Sequence, residues 1–190
     1  MSDLEQVSVA SAAEWRVWLE ANHAQEASIW LVTYKKAVPG KYVSASEVLD
    51  EALCFGWMDG RRKKLDAQRT MQLLSPRKTQ HWAKSYKDRV ARLTAEGRMH
   101  EAGLQVVAAA KASGMWDFMN DVDALVIPAD LEAAFERNPV AWGHYEAFPG
   151  SAKRDLLRWI KLAKRSQTRA ARIEKAVALA AQNTRASGTR

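Results

Sequence analysis

Asp59, Arg61, Arg69 and Arg77 are the side chains whose types and spacing point most directly at chemistry, and Trp57 and Trp82 bracket them. All lie in one stretch, GWMDGRRKKLDAQRTMQLLSPRKTQHW, which also holds Ser75 and His81. A lone carboxylate among so many cations keeps its charge, so Asp59 is expected to be a weak general base. Its expected job is to orient an arginine by a paired hydrogen bond, leaving other guanidinium groups for a ligand anion; holding the local turn is the structural alternative. The tryptophans can stack a base or an arginine, although core packing is the commoner use of Trp at a helix end. The ligand-binding candidates are therefore Trp57, Asp59, Arg61, Arg69, Ser75, Arg77, His81 and Trp82.

Other chemistries find little support. His23, His81, His100 and His144 are scattered, with no i, i+4 pair and no carboxylate ligand set, so no metal site is assigned. Only His81 lies near the hairpin, where it could carry a proton. Cys54 is the one cysteine and falls in an apolar helical pattern, the setting of an inert buried thiol. Ser75 lacks the G-x-S-x-G setting of a hydrolase, and no phosphate loop or dinucleotide fingerprint occurs. No catalytic residue and no cofactor is assigned.

The candidates depend on a β-hairpin, WMDGRRKKL and RTMQLLSP joined through Asp66-Ala67-Gln68. Strict alternation puts Trp57, Asp59, Arg61 and Lys63 on one face of its first strand. A helix over 12–22 and a strand over 28–36 precede it, and a helix capped by Ser44 or Ser46 runs to Phe55, stopped by Gly56. Beyond residue 80 the pattern is helical: 81–96, 100–112, then 130–137, a helix opened by Asn138-Pro139, one capped by Ser151, and one over 167–182. The tail NTRASGTR is expected to be loose.

Charge is distributed in blocks. Residues 1–56 carry net −4, 57–98 net +8, 99–150 net −6 and 151–175 net +7, within an overall +7. Either the basic blocks pair with acids inside the fold, or they share a face and gather anions. In the last block Arg154, Arg158, Lys161, Arg165, Arg169 and Arg172 recur at helical steps, as a solvated face or a phosphate-tracking one. No run of about 18 apolar residues and no basic, apolar leader occurs, so the expectation is a cytoplasmic protein without a membrane span.

EALCFGWMDG, then SPRK, then W-x6-RV-x2-L-x3-G-x-M, resemble the bacterial YdeI/OmpD-associated (OmdA-like) family of bacteriocin-protection proteins. IPADLEAAFERNPVAW and WIKLAKRSQTRAARI resemble that family's helical C-terminal half, so the likeness spans most of residues 15–182. Its Gly-Trp-Ile-Asp-Gly corresponds to Gly56, Trp57, Met58, Asp59 and Gly60, and its Ser-Pro-Arg to Ser75, Pro76 and Arg77. Where relatives tend to have Ser-x-Trp-Ser and an Asn one turn on, this chain has Gln80-His81-Trp82-Ala83 and Tyr86, which removes two small polar donors. What the resemblance implies is a phenotype, stress or antimicrobial-peptide resistance of cells, rather than a reaction.

These readings predict an α+β, predominantly helical fold, with a small antiparallel sheet of about three strands in the N-terminal half packed on a helical C-terminal half. A single domain is expected, with a helix-plus-hairpin lobe over 1–98, a helical lobe over 99–182 and a tail over 183–190. The expected function is bacteriocin resistance through binding an anionic small molecule or macromolecule at a Trp-lined hairpin, with no enzyme activity assigned. The alternatives are a nucleic-acid binder using 57–98 and 151–175, and an enzyme on a phosphorylated or carboxylated small molecule with His81 or Asp59 moving a proton.

Overall fold

A computed structural model describes residues 4–186, and these fall into two compact units divided between Asp117 and Phe118. The fold is α+β and mainly helical, with its one small sheet in the N-terminal half, as the sequence predicts.

In the first unit the sheet has four strands in the order β1-β2-β4-β3: β1 (Gln6–Ser8), β2 (Ile29–Tyr34), β3 (Trp57–Lys64) and β4 (Arg69–Pro76). β2, β4 and β3 are antiparallel, as expected. β1 adds a fourth, parallel strand through Val7 opposite Leu31, which makes the sheet mixed. Three residues carry no readable period, and the pairing is long-range, so only the fold reveals it.

Helix α1 (Ala12–Asn22) buries Trp15 and Leu19 completely, and Trp15 donates its indole N–H to Val48 O at 3.1 Å. Helix α2 (Ala45–Cys54) opens on a capping box, Ser44 accepting from Glu47 N while Glu47 accepts from Ser44 N. It ends where Gly56 takes φ +75, a conformation costly for any residue with a Cβ. Helix α3 (Lys84–Ala95) starts later than the sequence pattern suggests, leaving Trp82 in the approach to it. Helix α4 (Glu101–Ala112), placed by the sequence reading with the C-terminal helices, packs on α2 so closely that a Cβ on Gly103 would sit 2.2 Å from Cys54 O. The core joins Trp15, Leu19, Ile29, Leu31, Leu53, Phe55, Trp57, Leu74, Trp82 and Leu93. On the other face of the sheet Trp30, Val32 and Met71 form a smaller cluster with Leu4 and Leu73.

The regular elements among the described residues of the second unit are all helices: α5 (Asn120–Asp123), α6 (Ala129–Glu136), α7 (Pro139–Ala147), α8 (Gly150–Lys161) and α9 (Ser166–Ala181). Asn138 caps α7 through Ala141 N, with Pro139 in the first turn as expected. Ser151 does not cap α8: the helix begins at Gly150, and Pro149 at its cap offers no side-chain bond. Leu131, Phe135, Tyr145, Leu156, Leu157, Ile160, Ile173 and Ala176 make the core. Of the tail expected to be loose, residues 183–186 turn back at Asn183 (φ 52) and bury Ala186; residues 187–190 lie outside the described residues. No described helix is long and apolar enough to cross a membrane.

Candidate functional site

Position along the hairpin decides which predicted residues meet. On β3 the register jumps: Asp59 faces Leu74, and Arg62 faces Gln72, so three steps on β3 match two on β4. This β-bulge reverses the alternation beyond Asp59. Arg62, not Arg61, therefore joins Asp59 on the core-side face, where its Nη2 donates to Gln72 Oε1 at 2.6 Å. Arg61 and Lys63 go to the other face and lie over the Trp30 ring, 5.5 and 4.3 Å from its centroid. The expected face of Trp57, Asp59, Arg61 and Lys63 is thus corrected after Asp59.

Asp59 binds no arginine among the described residues. Its carboxylate accepts from Tyr86 OH at 2.5 Å and from Gln72 Nε2 at 3.0 Å. Tyr86 stands where relatives were expected to place a small amide, and it supplies a donor to the same neighbourhood. Burial first, and then the bond to Asp59, push its hydroxyl up to about 12.

Arg77 is buried, 8% exposed, and lies over Trp82 at 3.8 Å and Tyr86 at 5.4 Å. Its Nη2 donates to His81 O at 2.8 Å, while its buried Nε has no partner. Desolvation pulls its guanidinium below the usual arginine range, partly offset by Tyr86 and Asp59. His81 thus enters the cluster through its backbone carbonyl, and Trp82, 2% exposed, packs against Trp116 at 5.0 Å.

Besides Arg61, three predicted residues stand apart. Trp57 is wholly buried, donating to His23 O and packing edge-on against Trp18. Ser75 pairs with Ser28 Oγ at 2.7 Å on the Trp30 face. Arg69 closes the hairpin loop by binding Asp66 at 2.7 Å. The structure so brings together Asp59, Arg77, His81 and Trp82, adding Tyr86, Gln72 and Arg62, and leaves Trp57, Arg61, Arg69 and Ser75 elsewhere.

Charge pairing sorts the basic block of 57–98. Arg89 and Arg92 bind the buried Asp50, Arg98 binds the buried Glu51 at 2.6 Å, and Lys84 pairs with Asp88. Arg61, Arg62, Lys63 and Lys64 are all exposed, and among the described residues none is ion-paired. In the second unit Lys161 pairs with Asp121, Arg169 with Asp130, and Arg172 donates to Trp159 O, so half of the expected phosphate-tracking row is engaged internally. No group of His, Cys, Asp and Glu among the described residues could hold a metal, and burial raises the Cys54 thiol to about 11.

Residues 7–106 match the family model described as a domain of unknown function, DUF8412, over more than half of the chain. Residues 124–183 match the model described as bacteriocin-protection, YdeI or OmpD-associated. The chain belongs to the DUF8412 family, and its second unit holds the stretch that matches the YdeI/OmpD-associated model. The hairpin of this DUF8412 protein thus lies in the first match, and the runs from Ile127 to Trp142 and from Trp159 to Ile173 lie in the second. No curated protein and no solved structure matches the chain.

Proposed function

We propose that this protein acts in bacteriocin or stress resistance by binding an anionic partner, and that the contact runs along β3. The observation that carries this reading is the row Arg61-Arg62-Lys63-Lys64: four consecutive exposed cations on an edge strand, without a carboxylate partner among the described residues. A solvated edge strand uses charge to discourage pairing with other strands. Two cations gathered over Trp30, with two more on the opposite face, also make a positive field that draws a polyanion.

The aromatic element of the site is therefore Trp30. Trp57 and Trp82 are enclosed by the core, and Arg77 stacks inside it. Trp30 has little ring left to offer a base, since Arg61 and Lys63 lie over it, which favours charge readout over base stacking. The acidic surface that would be needed to capture a cationic peptide directly is not supplied by β3, so protection acts through an anionic partner.

Binding of heparin, single-stranded DNA and nucleotides, titrated with salt, tests the reading. Replacing Arg61 and Lys63 by Ala is expected to weaken polyanion binding at least tenfold and to lower the salt slope by about two charges. Unchanged affinity and slope in that variant would remove β3 from the site. Binding that is equally tight for mononucleotides and shallow in salt would replace the polyanion by a small ligand.

A further inference from the structure

A cleft of about 530 Å³ opens beside α2 and α3, lined by Ser46, Asp50, Ser85, Asp88, Arg89 and Arg92. Asp50, 7% exposed, is its deepest polar residue. One of its oxygens accepts from Arg89 Nη1, and the other accepts from Arg92 Nη2 at 2.7 Å. A single buried carboxylate thus holds two guanidinium groups side by side, and Glu96, which also pairs with Arg92, supplies the second negative charge.

The clamp leaves donors over. Arg89 Nη1 also reaches Ser46 Oγ at 2.9 Å, and Arg92 Nη1 binds Glu96 at 2.8 Å. Nε and Nη2 of Arg89 and Nε of Arg92 make no hydrogen bond among the described residues. Ser85 is exposed at the wall. The second lining carboxylate, Asp88, accepts from Lys84 Nζ through both oxygens, at 2.9 and 2.8 Å, which offsets its charge.

We propose that this cleft binds a small phosphomonoester, with the phosphoryl group between Arg89 and Arg92 and the hydroxyls of Ser46 and Ser85. A phosphoryl group presents three oxygens and up to two charges, and so can engage both arginines and both hydroxyls. A carboxylate, with two oxygens and one charge, can bridge both arginines as Asp50 does but has no oxygen left for the two hydroxyls. The depression is open to solvent, with Ser46, Ser85, Asp88 and Arg92 exposed at its walls, so the phosphoryl group carries the recognition and the body of the ester lies at the surface. Both carboxylates are committed to cations, so the arrangement binds and does not supply a base. The site shares no residue with β3 and stands independently of the function proposed there.

The test is an amide-resolved NMR titration of the full chain with inorganic phosphate at constant ionic strength, with acetate as a parallel arm. Phosphate is expected to give saturable shifts centred on Ser46, Ser85 and Arg89, with acetate at least about tenfold weaker. Ser85→Ala should weaken phosphate several-fold, and Ser85→Asp should abolish saturation; this side chain is exposed, so both variants are expected to keep the fold. Replacing Arg61 and Lys63 by Ala should leave the phosphate shifts unchanged. Shifts that do not saturate, that centre elsewhere or that persist in Ser85→Asp would overturn the site. Equal binding of acetate would overturn the phosphate assignment.

Discussion

Tyr86 donates its hydroxyl to Asp59 at 2.5 Å, joining the first turn of α3 to the last regular position of β3 before its bulge. With Gln72 donating to the other oxygen, the carboxylate is satisfied by neutral partners in a part-buried place. Tyr86→Phe removes a charge-assisted bond there and is expected to lower stability by about 1–2 kcal/mol, read as a reduced urea midpoint with an unchanged slope. An unshifted midpoint would show that this bond does not hold α3 to the hairpin.

Alkaline pH should expose the same tyrosine. Tyr86 and Tyr145 are both pushed from 10.0 to about 12, Tyr86 chiefly by burial and then by Asp59, and Tyr145 by burial alone. A folded-state value above the unfolded one means that the stabilisation is complete below about pH 10 and is lost as pH rises through about 12. Ultraviolet titration should show two late-ionising tyrosines, one lost in Tyr86→Phe and the other in Tyr145→Phe. Ionisation of either near pH 10 in the folded protein would contradict the assignment.

Removing the Asp50 carboxylate is expected to be costly. Burial works to raise its pKa, and the bonds to Arg89 and Arg92 more than offset it, so the net shift is downward from 3.8. Its contribution is therefore present above about pH 4 and fades as pH falls through the depressed folded value. Asp50→Asn should cost about 3 kcal/mol at neutral pH, the lower end for a broken buried pair because the Arg92 side chain is 45% exposed. Urea midpoints for the two proteins should converge on acidification; a gap that stayed constant from pH 7 to pH 2 would argue against this.

Two glycines should respond in opposite directions. Gly103→Ala forces a Cβ to within 2.2 Å of Cys54 O, where backbone cannot yield cheaply, so the first unit should lose several kcal/mol or fail to fold. Gly143→Ala, in α7 with nothing within 4 Å of the new Cβ, should gain about 1 kcal/mol from helix propensity. Thermal melts of both variants check the pair. A tolerated Gly103→Ala would mean that α4 does not lie against α2 as described.

Arg77 illustrates how far the candidate site was legible. Its place in the Ser-Pro-Arg step and the nearness of Trp82 in sequence suggested stacking, and the stack exists at 3.8 Å. That the stack would be enclosed was not legible, because burial depends on Trp116 and α3 arriving from further along the chain. Arg77→Lys should be destabilising by about 1–3 kcal/mol, since an ammonium lacks the flat face that packs on the indole. An unchanged urea midpoint would show the stack to be dispensable. Trp30 is not legible as a site residue in the sequence, because only cross-strand pairing puts Arg61 and Lys63 above it.

Sequence alone determined the elements set by neighbours a few residues apart: a serine cap at Ser44 or Ser46 before α2, the left-handed glycine at Gly56, and the hairpin turn through Asp66. Those signals are local, because caps, turns and periodicity act within a few residues of chain. Tertiary structure alone decided which cations remain exposed. A one-residue bulge exchanged Arg61 for Arg62 on the Asp59 face, and Asp50 and Glu51 drew in arginines about 35 to 47 residues away. Charge counted along the chain cannot reveal this, because an ion pair is formed by proximity in space, and strand register and helix packing set that proximity.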